Sequence, residues 1–161
     1  MFRIAICEDD AGDKSRFQEQ INAYATVHPG LLSWNFFSNA EELETVLVRQ
    51  KVHFDAYFLD IMMPGKTGVE LAHQLKADHA SANIIFLSSV SDYVEESYSM
   101  GAIYYMLKPL QQDKLFALLD KLTVLPKQET ALLLQDANQL HKVEPSSIVY
   151  LEAMGKHQRC H

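Results

Sequence analysis

Polar side chains follow four short apolar runs of this 161-residue chain. The first run, Phe2 to Cys7, is followed by carboxylates, and a later run ends at Asp60. Two further apolar runs are followed by Ser88 and by Lys108. A carboxylate at the end of a buried strand is costly unless its charge is used there. We therefore interpret Asp60 as a carboxylate with a chemical role.

The carboxylates after the first run are Glu8, Asp9 and Asp10. Clustered carboxylates cannot all stay ionised without a cation, and oxygen ligands suit Mg²⁺. Asp10 is better explained as a solvated helix-start residue than as a ligand. The hydroxyl and the ammonium that follow the later runs could bind an oxyanion. Together with Asp60, these groups describe a site where a carboxylate accepts a phosphoryl group.

The apolar runs alternate with helical patterns along residues 1–124. Strands are expected at 2–7, 31–37, 54–59, 83–87 and 103–107. Helices are expected from residue 11, from a cap at Ser38 or Asn39, from Thr67-Gly68, from Ser91-Asp92 to near Gly101, and over 110–124. Strands separated by helices imply an α/β fold, a doubly wound five-stranded parallel sheet covered on both faces. The carboxyl ends of such strands meet at one edge, where ligands bind.

The pattern changes after Leu125-Pro126. Strand-like runs at 131–135, 139–143 and 148–151 follow one another without a helical pattern between them. This predicts an all-β segment that is incomplete, because it is below the size that usually folds alone. We therefore expect one domain over 1–124 and part of a second over 125–161.

Composition excludes several classes of protein. The sequence has no apolar run long enough to span a membrane. Acidic residues follow the N-terminus too early for a signal peptide. Cys7 and Cys160 are too far apart to suggest a metal motif or a disulfide framework. A cytoplasmic protein without a membrane partner is the expectation.

Charge is unevenly distributed along the chain. Residues 1–123 hold 17 acidic and 10 basic side chains, whereas residues 124–161 hold 4 of each. The first part is therefore a poor binder of polyanions by itself. If nucleic acid is a partner, the tail or a following segment must bind it.

Residues 1–123 resemble the response-regulator receiver domain of two-component signalling. The resemblance rests on Glu8-Asp9, on the segment 60–68 (Asp-Ile-Met-Met-Pro-Gly-Lys-Thr-Gly), on Ser88, and on Tyr105 placed three residues before Lys108-Pro109. Any one of these features is a weak signal. All of them in the correct order on the predicted strands make a strong one.

The resemblance implies a sheet of strand order 2-1-3-4-5 and a set of metal ligands. Asp60 would be the phosphoacceptor. Asp9 would bind Mg²⁺ directly, Glu8 would lie nearby or act through water, and Met62 would offer its backbone carbonyl.

The resemblance also implies a two-state switch driven by the new charge. Lys108 would pair with the phosphoryl group and precede a cis peptide bond to Pro109. Ser88 would bind a phosphoryl oxygen, and Tyr105 would change rotamer with it. Tyr104 lies beside Tyr105, but its spacing to Lys108 fits less well.

One hypothesis goes beyond these roles: residues two positions after Asp60 and two positions after Ser88 would flank the path of a hydrolytic water. Here they are Met62 and Val90, which are both apolar. Neither side chain can orient that water, so we expect slow loss of the phosphoryl group.

The tail resembles the start of a LytTR-type DNA-binding domain. The resemblance is carried by residues 147–157 (Ser-Ile-Val-Tyr-Leu-Glu-Ala-Met-Gly-Lys-His). In that family a loop after this glutamate contacts DNA, and residues 156–159 would form it. Most of the family domain is missing here, so we expect a truncated output domain.

The leading hypothesis is a phosphorylation-dependent transcription regulator that is not an enzyme. A sensor histidine kinase would phosphorylate Asp60, phosphorylation would favour a homodimer, and the complete output domain would bind promoter DNA. A stand-alone receiver or dimerisation module is the alternative. A phosphatase acting through an aspartyl phosphate is disfavoured, because such enzymes commonly carry an aspartate where Met62 stands.

Overall fold

A five-stranded parallel sheet organises the first part of the chain. The computed structural model describes residues 1–89, 102–124, 132–136, 139–143, 151–154 and 157–160. The strands are β1 (Phe2–Cys7), β2 (Leu32–Phe37), β3 (Ala56–Asp60), β4 (Ile84–Ser88) and β5 (Tyr104–Leu107). Their order is β2-β1-β3-β4-β5, and every pair is parallel. The predicted parallel sheet and its strand order are confirmed.

Within the described residues, three helices connect these strands and a fourth follows β5: α1 (Ala11–Val27), α2 (Ala40–Gln50), α3 (Gly68–Asp78) and α4 (Gln112–Val124). Each of the first three begins at a side chain that accepts a backbone N–H, namely Asp10, Asn39 and Thr67. The helix predicted from Ser91-Asp92 lies outside the described residues. Among the helices the structure describes, none is long and apolar enough to cross a membrane.

The helices divide between the two faces of the sheet. Successive side chains of a strand point to opposite faces. Accordingly, Leu59 belongs to one apolar cluster with residues of α2 and α3, and Phe58 belongs to the other with residues of α1 and α4. The predicted inner face of the last helix is confirmed, because its four leucines are buried. They are Leu115, Leu118, Leu119 and Leu122.

The central strands β3 and β4 are buried at every position. This is typical of strands covered by helices on both faces. Asp60 and Ser88 are themselves the last residues of these strands, whereas the sequence pattern placed them just beyond. The backbones of both polar residues are therefore part of the sheet.

Backbone hydrogen bonds extend the parallel pairing past the strand ends. Glu8 donates its N–H to Phe37 at 3.0 Å, and Lys108 donates to the Ser88 carbonyl at 2.8 Å. Ile61 likewise donates to the Leu87 carbonyl. These bonds fix the backbone next to each predicted site residue at a single edge of the sheet.

The chain divides into two units, Met1–Thr123 and Val124–His161. In the second unit, β6 (Leu132–Asp136) pairs with β7 (Gln139–Val143), and β8 (Leu151–Met154) pairs with β9 (His157–Cys160). Both pairs are antiparallel.

The loop predicted at 156–159 is wrong for most of its length, because β9 occupies it. The sequence of β9 is polar and lacks an apolar alternation. Its backbone pairs with β8, Leu151 opposite Cys160 and Met154 opposite His157. Backbone pairing, and not side-chain pattern, makes this segment a strand.

Candidate functional site

Three carboxylates meet at the carboxyl edge of the sheet. Oxygens of Glu8, Asp9 and Asp60 all lie within 4.8 Å of one another. Glu8 and Asp60 are 2% and 5% exposed, whereas Asp9 faces solvent. The structure therefore brings together the three side chains that the sequence proposed as metal ligands, and it leaves the group open to solvent at Asp9.

The pairing of β1 with β3 explains why these residues meet. Cys7 lies opposite Leu59 in that pair. Glu8 follows Cys7 directly after β1, and Asp60 follows Leu59 as the last residue of β3. The two carboxylates therefore lie side by side. Their closeness thus follows from the register of the two strands, which places their backbones next to each other.

Lys108 lies within hydrogen-bonding distance of both buried carboxylates. Its Nζ atom is 2.7 Å from Asp60 Oδ2 and 2.7 Å from Glu8 Oε2. The lysine side chain is only 8% exposed. A buried ammonium between two buried carboxylates offsets much of the free energy that each charge loses on leaving water.

A third carboxylate on this lysine was not predicted from the sequence. Asp13, in the first turn of α1, places Oδ2 3.1 Å from Lys108 Nζ. It follows Asp10, the N-cap, by three residues, so it lies on the same end of the helix. The spacing between Asp10 and Asp13 could have indicated that Asp13 lies at this end of α1. Only the packing of α1 on the sheet shows that Asp13 contacts Lys108.

The surroundings shift the pKa values of Glu8 and Lys108. Burial raises the pKa of Glu8 to about 7, although its hydrogen bond with Lys108 acts in the opposite direction. Burial alone would lower the pKa of Lys108, but hydrogen bonds with Asp60 and Glu8 outweigh it and hold that pKa above its ordinary value. The lysine therefore stays charged, whereas burial favours the protonated form of Glu8.

The loop after Asp60 is closely packed against the backbone. The Met62 N–H donates to Asp60 Oδ1 at 3.1 Å, and the Met62 side chain is 63% exposed. Gly68, the first residue of α3, lies so close that a Cβ there would be 2.1 Å from the Asp60 carbonyl oxygen. A glycine is required because any side chain would collide with the backbone that carries the candidate phosphoacceptor.

Ser88 and Tyr105 lie on the two strands that follow β3 in the sheet. Ser88 is fully buried at the end of β4, the strand next to Asp60. Tyr105, on β5, is half-buried and packs against the cluster of the α2 and α3 face. Tyr104 is 40% exposed. The peptide bond between Lys108 and Pro109 is cis.

A doubly wound sheet with carboxylates and a lysine at its carboxyl edge is the arrangement of receiver domains. The chain belongs to the response regulator receiver domain family, which it matches over residues 4–120.

Curated relatives are bacterial regulators. An uncharacterized response regulatory protein of Yersinia pestis is 30% identical over 123 residues, covering 76% of this chain and 49% of that protein. The transcriptional regulatory protein BtsR of Salmonella typhi is 30% identical over 118 residues, covering 71% of this chain and 49% of that protein. The chain thus spans about half the length of these relatives.

Solved structures show the same fold. TrrA of Thermotoga maritima, determined in complex with Mg²⁺-BeF, has a TM-score of 0.65 and 26% identity, covering 76% of this chain and 99% of that chain. The response regulatory domain of MrkE from Klebsiella pneumoniae has a TM-score of 0.64 and 26% identity, covering 76% and 95%.

The residues at the sheet edge fit a magnesium ion. The donors are carboxylate oxygens, which Mg²⁺ prefers, and they lie close enough to share one ion. One of them, Asp9, is exposed, which suits an ion that keeps several waters. This acidic pocket is typical of receiver domains.

Proposed function

We propose that this chain is the receiver part of a phosphorylation-dependent transcription regulator, with Asp60 as phosphoacceptor. The contact between Asp60 Oδ2 and Lys108 Nζ, at 2.7 Å, carries the proposal. A carboxylate that must act as a nucleophile needs nearby positive charge to receive a phosphoryl group, and the buried lysine supplies it. A sensor histidine kinase is the proposed donor, since that is the partner implied by membership of the receiver family.

In the proposed transfer, an oxygen of Asp60 forms a bond to phosphorus while the bond between phosphorus and the donor imidazole nitrogen breaks. The electron pair of the broken bond stays on the imidazole, which then takes up a proton. The Lys108 ammonium and the Ser88 hydroxyl bind phosphoryl oxygens, and a hydrogen bond to a charged group contributes about 1.5–3 kcal/mol. The reaction modifies the protein itself, so we do not assign it as an enzyme.

Glu8, Asp9, Asp60 and the backbone carbonyl of Met62 are the proposed Mg²⁺ ligands. When bound, the ion neutralises negative charge that builds up between the acidic group and the phosphoryl oxygens. The three carboxylates support this assignment because their oxygens already lie within 4.8 Å of one another.

The proposed switch runs from Ser88 to Tyr105 along neighbouring strands. Tyr105 is half-buried and packs against the cluster of the α2 and α3 face, and its ring is the proposed moving part of the switch. Tyr104 and Leu107 on the same edge strand are 40% and 53% exposed. We propose that phosphorylation favours a homodimer through this edge strand and the helices beside it.

The proposed output is a LytTR-type DNA-binding domain whose N-terminal part is residues 125–161. Two antiparallel strand pairs in this segment are compatible with an all-β module. The chain matches a relative named as a transcriptional regulatory protein, of which it covers 49%. Promoter binding is therefore proposed for a longer protein in the cytoplasm, and a receiver acting alone is the alternative.

The test is intact-mass analysis after incubation with acetyl phosphate and Mg²⁺. We expect the parent to gain one phosphoryl group and the Asp60→Ala variant to gain none. Absence of phosphoryl addition to the parent would overturn the proposal. Size measurement at several concentrations, with and without phosphorylation, then separates a phosphorylation-driven dimer from a module that ignores it.

A further inference from the structure

We infer that Asp13, anchored by Arg16, is a positioning residue that holds the Lys108 ammonium in place for the phosphoryl group. The inference rests on the proposed function of Asp60. It assigns a role to Asp13, in the first turn of α1, which has no part in the proposed function above.

The geometry gives Lys108 three carboxylate partners. An ammonium has three N–H donors, and Glu8, Asp60 and Asp13 are each within hydrogen-bonding distance of Nζ. Glu8 and Asp60 belong to the group whose oxygens could hold a cation, whereas Asp13 does not. Asp13 is therefore the partner that stays available to the lysine when a metal ion and a phosphoryl group occupy the other two.

Asp13 is itself fixed from two sides. Its Oδ2 faces Lys108, and its Oδ1 accepts a hydrogen bond from the Arg16 guanidinium one turn further along α1. Its backbone N–H donates to Asp10 Oδ1 at 2.8 Å. Burial opposes the charge of Asp13, but Arg16 and Lys108 outweigh it and lower the pKa of this carboxyl. The result is a charged carboxylate with little freedom to turn away.

Two effects of Asp13 on a bound anion have opposite signs. Its negative charge repels a phosphoryl group, which weakens binding at any position near the site. Its hydrogen bond orients Lys108, which strengthens binding by reducing the freedom that the lysine must lose. The second effect should be the larger because the lysine is only 8% exposed and its contacts are short.

A matched pair of variants separates these effects. Asp13→Asn and Asp10→Asn remove the same charge from the same helix end. Asp10 is the N-cap, and asparagine caps equally well, so helix α1 is preserved. In the described residues, no ion pair joins Asp10 to Lys108.

The probe is beryllofluoride with saturating Mg²⁺, and its apparent affinity is followed by ¹⁹F NMR on the full chain. We expect Asp13→Asn to weaken binding about three- to tenfold, the loss of one charge-assisted hydrogen bond that is partly exposed. Asp10→Asn should leave the affinity within about twofold of the parent or tighten it, because Asp10 is an exposed like charge that makes no ion pair with Lys108. Asp13→Glu, which restores the carboxylate, should recover most of the affinity.

A second measurement reports the lysine directly and needs neither Mg²⁺ nor beryllofluoride. The ¹⁵N–¹H signal of the Lys108 ammonium, assigned by its loss in Lys108→Arg, should shift or broaden in Asp13→Asn and not in Asp10→Asn. If Asp13→Asn does not fold, Arg16→Gln keeps the charge of Asp13 and removes its anchor. That variant should weaken beryllofluoride binding about twofold.

The outcomes are distinguishable. A parent that does not bind beryllofluoride ends the proposed function and this inference with it. A parent that binds, together with an Asp13→Asn variant that binds as tightly or more tightly, overturns the inference alone. If Arg16→Gln is the variant used, unchanged beryllofluoride affinity together with an unchanged Lys108 signal also overturns the inference alone.

Discussion

Lys108 reaches across an intervening strand to contact Asp60. Asp60 ends β3 and Lys108 follows β5, and β4 lies between these two strands. The lysine side chain spans that width and places Nζ 2.7 Å from Asp60 Oδ2. The ammonium is thereby buried among carboxylates at the edge of the sheet.

Replacing this lysine should destabilise the protein and do so less when Mg²⁺ is present. Lys108→Met leaves the carboxylates of Glu8 and Asp60 buried without their cation, which costs about 3–5 kcal/mol. Added Mg²⁺ supplies positive charge and should recover part of that loss. The measurement is urea unfolding with and without the ion.

Lys66→Met is the control for that experiment. Lys66 pairs with Glu44 through side chains that are 29% and 22% exposed. Its loss should cost at most about 1 kcal/mol and should not depend on Mg²⁺. Equal destabilisation of the two variants would contradict a special role for Lys108.

Gly68→Ala should perturb the position of Asp60 even though Gly68 carries no side chain. The added Cβ would lie 2.1 Å from the Asp60 carbonyl oxygen, so α3 or the end of β3 must move. We expect destabilisation of about 1–3 kcal/mol and slower phosphorylation by acetyl phosphate. Gly12→Ala, at the start of α1, meets only side-chain atoms, Asp10 Oδ1 at 3.1 Å and the Arg16 guanidinium at 3.8 Å, and should have a small effect. Similar losses in both variants would refute the argument.

Polar side chains at positions 62 and 90 should shorten the lifetime of phosphorylated Asp60. Met62 is 63% exposed beside the candidate phosphoacceptor and cannot orient water. A Met62→Asn, Val90→Glu variant should lose its phosphoryl group faster, by about tenfold or less, if the new groups position a hydrolytic water. Val90 lies outside the described residues, so its part in this prediction rests on its sequence position alone. The measurement is the half-life after removal of the donor, with Met62→Leu as the apolar control. Equal half-lives of the phosphorylated parent and the phosphorylated double variant would contradict the hypothesis.

The capping box of α3 should contribute stability that depends on pH. Thr67 donates its N–H and its hydroxyl to the Glu70 carboxylate, and these bonds lower the pKa of Glu70 below its ordinary value of 4.5. An acid with a lowered pKa in the folded state stabilises that state above its ordinary pKa. The contribution disappears as the pH falls through the lowered value.

Glu70→Gln tests this contribution by urea unfolding. At neutral pH the parent should be more stable than the variant, and the difference should shrink in acid. Glu19→Gln removes the same charge from an exposed turn of α1, away from a helix N-terminus, and should change the midpoint less. A difference for Glu70→Gln that persists in strong acid would show that charge is not its source.

The sequence was sufficient to predict which groups meet at the sheet edge. An apolar run precedes each of Asp60, Ser88 and Lys108. The carboxyl ends of parallel strands lie at the same edge of a sheet, so the order of strands and helices along the sequence is enough to predict that these three residues meet. Strand ends were less certain, since β3 begins at Ala56 and not at Phe54. A strand boundary depends on where pairing stops, which local pattern does not determine.

Asp13 shows what could not be predicted. Its contact with Lys108 joins residues 95 positions apart and depends on how α1 docks against the sheet. The apolar residues Phe17 and Ile21 set that docking, and their spacing says which face is inward but not which turn lies over the lysine. The polar strand β9 was missed for a related reason, because its partner and not its own composition defines it.

The complete burial of β3 also bears on which parts of the molecule can move. Amide protons of a strand covered on both faces exchange with solvent only through opening of the whole sheet, so those of β3 should be among the slowest in the domain. Strand β5, with one buried residue among four, should exchange faster. Asp60 thus stands on one of the two strands of this sheet that are buried at every position, and rearrangement after its modification should begin at the edge strand β5, where opening costs less.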